Sequence, residues 1–146
     1  MLHDVLISMH AEQGVDTETP NALDFTTDGY YTFDDNVGCI TYEESEVTGL
    51  EGTRTSVLVM PNQIIVDRDG TITSRMIFQE GGKTDFLYDT PFGNAVLGIK
   101  TRKISQNFDD KGGKLEIDYD INMEHTVFSR NRFKINVEKI GDRPNA

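Results

Sequence analysis

Apolar and polar residues alternate with a period of two along most of the chain, and no helical apolar period lasts more than about two turns. The clearest stretch sets Leu115, Ile117, Tyr119, Ile121 and Met123 against Glu116, Asp118, Asp120 and Asn122. A second sets Val127, Ser129, Asn131, Phe133, Ile135 and Val137 against Phe128, Arg130, Arg132 and Lys134. Successive side chains of a strand point to opposite faces, so both stretches read as half-buried strands. The same pattern predicts strands over residues 3–12, 22–33, 37–44, 53–60, 63–68, 71–79, 83–89 and 95–106. Turn chemistry separates them. Asp69–Gly70 predicts a type I′ turn, in which both central residues need positive φ. Asp34–Asp35–Asn36, Pro91–Phe92–Gly93–Asn94 and Asp110–Lys111–Gly112–Gly113 predict further turns, Pro61–Asn62 a break, and Gly14–Asn21 a surface loop.

No crossover helix, repeat or linker interrupts this series, so residues 1–146 are expected to form one all-β domain, an antiparallel up-and-down barrel of eight to ten strands. Closure is favoured over an open sandwich because it removes unpaired edges. If Met123 pairs with Val127, the last hairpin sets Asp120, Asp118 and Glu116 opposite Arg130, Arg132 and Lys134. Lys100 and Arg102 would flank the same acidic row. Such a ladder, at about 0.2–1 kcal/mol per pair, explains the basic cluster without a phosphate ligand.

Composition narrows the classes. A chain of 146 residues with eight Phe and five Tyr can bury about 68–70% of its unfolded surface without covalent staples. Cys39 is the lone cysteine, so an internal disulfide and a multi-Cys zinc site are excluded, and it reads as a small buried hydrophobe. Residues Met1–Met9 lack the basic start and apolar length of a signal peptide, and no run reaches the ~20 apolar residues of a membrane helix. The expectation is a cytosolic protein without a membrane partner. The net charge of −11 disfavours nucleic acid as well. That charge is uneven: residues 1–53 hold twelve acidic side chains and no Lys or Arg, while residues 54–146 hold thirteen acidic and fourteen basic ones. The imbalance points either to a polar partner or to N-terminal strands lying beside C-terminal ones.

Several short motifs, in order, resemble one known family. They are Tyr42-Glu43-Glu44, Thr48-Gly49-Leu50-Glu51-Gly52-Thr53-Arg54-Thr55, Arg68-x-Gly70, Arg75-Met76-x-Phe78, Tyr88-x-Thr90-Pro91-x-Gly93, Gly113-x-Leu115 through Tyr119, and Ser129-Arg130-Asn131. Over about residues 4 to 138 the chain resembles the uncharacterised bacterial YwiB-like family. The resemblance implies a calycin-like barrel, the architecture of lipocalins and fatty-acid-binding proteins, and implies no activity. The Gly-x-Trp of true lipocalins is absent, since the chain has no Trp. Fold-level analogy does not carry function.

Candidate chemistry follows from the alternation. If the apolar residues face inward, so do Tyr42, Glu44, Thr53, Thr55, Ser74, Tyr88, Thr101, Tyr119, Ser129 and Asn131. Buried polar groups need partners, so this set reads either as a polar-lined pocket or as a filled core bonded to backbone. Arg54 and Arg75 alternate outward, although a single bulge would turn either inward beside Glu43 or Glu44. The two glycines of Thr48–Thr53 lack P-loop spacing and read as turn formers. His3, His10 and His125 are too scattered for a metal site, His10 and Glu12 share an outward face, and no inward histidine is evident for haem. No calcium-loop spacing occurs among Asp34, Asp35, Asn36, Asp109 and Asp110.

The leading expectation is a non-enzymatic binding module, without cofactor or metal, holding a small polar or amphipathic molecule in or at the mouth of the barrel. Tyr42, Glu44, Thr55, Arg75, Tyr88, Thr101 and Tyr119 are its expected ligand-binding residues. A protein-interaction module, such as a homo-oligomer using an outer face, is the alternative, motivated by Phe128 and Ile77 at outward positions. A hydrolase or isomerase with Glu43 or Glu44 as base is the third reading. It requires a carboxylate of raised pKa in a cleft.

Overall fold

A computed structural model describes residues 2–15, 17–124 and 126–142, with residues 128, 141 and 142 described by their backbone alone. Ten antiparallel strands form one sheet: β1 (His3–Gln13), β2 (Asn21–Asp34), β3 (Val37–Glu43), β4 (Thr53–Val59), β5 (Ile64–Gly70), β6 (Ser74–Phe78), β7 (Lys83–Thr90), β8 (Gly93–Asp109), β9 (Gly112–Met123) and β10 (Thr126–Asp142). The order is β6-β5-β4-β3-β2-β1-β10-β9-β8-β7. Two meanders, β1–β6 and β7–β10, are therefore joined in space by the β1–β10 pair. The sheet curls until β6 meets β7, giving a nearly closed barrel. Between β6 and β7 no ladder forms among the described residues. A Thr73–Asp89 bridge, with N–O distances of 3.0 and 3.1 Å, and the Thr84 hydroxyl donating to the Ile77 carbonyl at 2.7 Å hold this seam.

Inward positions are those the alternation picks out. Val5, Ile7 and Met9 of β1, Ile40 of β3, Val57 and Val59 of β4, and Leu115 and Ile117 of β9 fill the core. One end is closed by aromatic packing. Tyr31, fully buried, stacks with His3 and tilts against Phe108, and its hydroxyl donates to the Asp109 carbonyl at 2.5 Å. Gly38 makes room for this ring, since a Cβ there would sit 3.3 Å from it. His3 thus faces inward, contrary to the expectation that no histidine does. Its β1 parity is that of Val5 and Ile7.

Local departures from the sequence reading have physical causes. Asp69–Gly70 is not a type I′ turn, because Asp69 lacks positive φ and Gly70 ends β5 opposite Thr53. Gly70 (φ 140°) is needed there for backbone approach, since a Cβ would lie 2.2 Å from the Gly52 carbonyl oxygen. The residues that meet the type I′ requirement are Asp35 (φ 50°) and Asn36 (φ 62°), which join paired Asp34 and Val37. In the last hairpin Met123 pairs with Thr126 rather than Val127, and a bulge between Val127 and Ser129 restores the expected register. Arg130, Arg132 and Lys134 therefore face Asp120, Asp118 and Glu116. Arg132 binds Asp118 at 2.8 Å, and Asp120 is buried beneath Arg102 at 3.4 Å and Arg130 at 3.9 Å. Glu12 of β1 likewise lies beside Arg132 of β10, so an acidic N-terminal strand does run beside a basic C-terminal one. Cys39 is half-buried on the outer face rather than in the core.

Candidate functional site

Pairing across β3–β6 builds one inward row. Tyr42 faces Thr55, Thr55 faces Arg68, and Arg68 faces Ser74. A second row crosses β8–β9–β10–β1, with Thr101 facing Tyr119, Tyr119 facing Asn131 and Asn131 facing Gln13. The barrel brings the rows together: the Tyr119 ring packs edge-on to Phe78 at 4.9 Å and lies within the field of the Arg68 guanidinium.

Glu44, just past the end of β3, turns its carboxylate into this cluster. Thr55 donates to its Oε2 at 3.1 Å and Thr48 to its Oε1 at 3.4 Å. Arg68 Nε stands 3.9 Å from Oε2, an ion pair too long for a hydrogen bond. Burial holds the Glu44 carboxyl above the usual carboxylate range, against the opposing effects of Arg68 and the surrounding hydroxyls. Burial, then the Glu44 charge, likewise pushes up the Tyr42 phenol, and burial raises that of Tyr119. Arg68 Nε, Ser74 Oγ and Thr101 Oγ1 are buried without a hydrogen-bond partner, which is costly for polar groups inside a barrel.

Beside Arg68 and Tyr119 the interior opens into a cavity of about 500 Å³. Its walls include Leu23, Met76, Phe86, Leu97 and Ile121, with Tyr88, Ser129 and Asn131 as polar members. Gln13, Asn21 and Met123, at the ends of β1, β2 and β9, line it as well. This volume lies within the range of small-molecule pockets.

Of the seven expected ligand-binding residues, Tyr88 and Tyr119 line the cavity, while Tyr42, Glu44 and Thr55 form the buried layer against Arg68. Thr101 is buried inside but off the cavity wall. Arg75 is a correction: it points outward and pairs with Asp67 at 3.8 Å. Its parity is opposite to that of inward Met76 and Phe78, and no bulge reverses it. Arg68 takes the interior position instead. Its orientation was hidden because Ile64, Ile65 and Val66 are apolar on consecutive positions, which leaves both parities open. Glu43 faces outward in a 2.7 Å bond with Arg54, which removes it as a buried base. Ile77 is half-buried outside, opposite Ile65, and the Phe128 side chain and His125 lie outside the described residues. On the outer face His10 is held by Asp24 and by Glu12, the latter at 2.7 Å. Asp24 foremost and then Glu12 raise its pKa.

Residues 7–135 match the family described as a domain of unknown function, DUF1934. A curated relative, "Uncharacterized beta-barrel protein YwiB" of Bacillus subtilis (strain 168), is 25% identical over 124 residues, 84% of this chain and 86% of that protein. The crystal structure of the ywiB protein from Bacillus subtilis superposes with a TM-score of 0.82 at 23% identity, over 94% of this chain and 92% of that one. That likeness is one of fold.

Proposed function

The chain belongs to the DUF1934 family of unknown function, and from that premise we propose that its barrel is a non-enzymatic module that holds one small amphipathic molecule in the lumen. The observation that carries this is the cavity of about 500 Å³ with largely apolar walls and the Arg68 guanidinium among its lining. Small barrels either fill their interior with side chains or keep room for one ligand, and a cavity of this size supports the second case. The resemblance to calycin barrels supports the same reading. Glu44 does not line the cavity, which weighs against its acting as a base on a bound substrate.

Native mass spectrometry of the protein isolated from its own cells tests the proposal. An added mass is expected that disappears on denaturation and is absent from a folded Ala11→Phe variant, whose ring would fill the lumen beside Leu23. A clean apo mass for the wild-type chain would overturn it.

A contact with another protein is a second reading, favoured by Leu87, Phe92 and Val96, all well exposed on the β7–β8 hairpin. Light scattering of wild type and Val96→Asp separates this reading from a monomeric carrier. An oligomer dissolved by the substitution would support it.

A further inference from the structure

We propose that the lumen ligand is an amphipathic monocarboxylate, its carboxylate gripped by Arg68 and its body lying along Met76, Phe86, Leu97 and Ile121. This inference rests on the lumen-binding reading above and adds the chemistry of the head group.

Arg68 is the starting point. A guanidinium carries five N–H donors in a planar fork and keeps its charge at any physiological pH. Here Nε is buried and has no hydrogen-bond partner, Nη1 reaches the Met76 sulfur at 3.5 Å, and the Glu44 carboxylate stands off at 3.9 Å. A thioether is a weak acceptor, so most of the fork is unmatched by protein oxygens among the described residues. The side chain nevertheless lies on the wall of an open, largely apolar cavity. An anionic oxygen pair entering that cavity would satisfy the fork in the bidentate geometry that guanidinium prefers.

The neighbours decide the charge and shape of the anion. Tyr119, across the barrel, keeps its phenolic proton and is a donor. Arg132, also at the cavity, is held by Asp118 at 2.8 Å, whereas Arg68 is only 3.9 Å from Glu44, so among the described residues Arg68 is the cation most open to a ligand there. One available guanidinium balances one negative charge, so a monoanion leaves less charge uncompensated among apolar walls than a doubly charged phosphate. The apolar walls then require a hydrocarbon body, because a wholly polar ligand would desolvate against them without compensation.

Calorimetric titration of the full chain with decanoate, 1-decanol and decyl phosphate, each below its micellar range, tests this. Decanoate is expected to bind one to one and at least about tenfold more tightly than decanol, the scale of a hydrogen bond to a charged group. Arg68→Met should abolish that preference, and Arg68→Lys should retain part of it. Equal binding of decanoate and decanol by the wild-type chain, a comparison that needs no variant to fold, would overturn the head group and leave the lumen reading intact. Tighter binding of decyl phosphate would overturn the carboxylate. Binding of none of the three probes would overturn the inference together with the lumen reading on which it rests.

Discussion

The Glu44 carboxyl keeps its proton to a higher pH in the folded chain than in the unfolded one, because its side chain is almost dry. A raised folded pKa contributes stability that is fully present below the ordinary carboxylate pKa and is lost as pH rises through the raised value. Wild type is therefore expected to lose stability relative to Glu44→Gln as pH rises from 4 to 8, read from urea midpoints at each pH. Parallel curves for the two chains would sink the expectation. Residues of this inner layer were legible beforehand wherever strict alternation surrounded them, as with Thr55 between Arg54 and Ser56 or Tyr119 between Asp118 and Asp120. Arg68 was not, because the apolar run before it carries no phase. Arg75 keeps the outward phase of its alternation, because no bulge turns the backbone there.

Individual strands are well announced by their own residues, yet their partners are not equal. Every neighbouring pair in the sheet order has a ladder, whereas among the described residues β6 and β7 meet at a seam closed by one bridge and one side-chain bond. Thr84→Val keeps the shape of that side chain and removes the hydroxyl that satisfies the Ile77 carbonyl. It is expected to cost about 1 kcal/mol and to speed amide exchange in β6 and β7 while leaving β1 and β10 protected. Unchanged exchange at the seam would count against the hydroxyl as a fastener. The seam was not legible in sequence, since Ser74–Phe78 alternates as cleanly as any paired strand. Misplacement of the Asp69–Gly70 turn has a related origin. The dipeptide has turn chemistry, but the close approach of Gly52 and Thr53 uses the glycine for another purpose.

Across the molecule, the first and last strands lie side by side, with His3 opposite Asp142, although 138 residues separate them in the chain. A permuted chain that opens between β6 and β7 at residues 79–82 and joins Asp142 to His3 by a short turn would convert this longest-range pair into a hairpin. It is expected to fold to the same barrel and to fold faster, because loop closure no longer precedes the β1–β10 contact. Stopped-flow refolding of both chains measures this, and a permutant that refolds more slowly would contradict it. The cavity belongs to this scale too. Its lining comes from β1, β2 and every strand from β5 to β10, which no local pattern brings together.

Period two, turn residues and charge pairing determined the strand series, the inward polar set and the acid–base ladder of the last hairpin, because these depend on neighbours one or two positions apart or across a short turn. Tertiary structure alone decided which arginine enters the lumen, where the barrel stays unzipped and which strands share the cavity. Those outcomes depend on strand curvature, bulges and the meeting of rows from opposite walls. Parity is a local property of a strand, whereas an interior is made only when ten of them close.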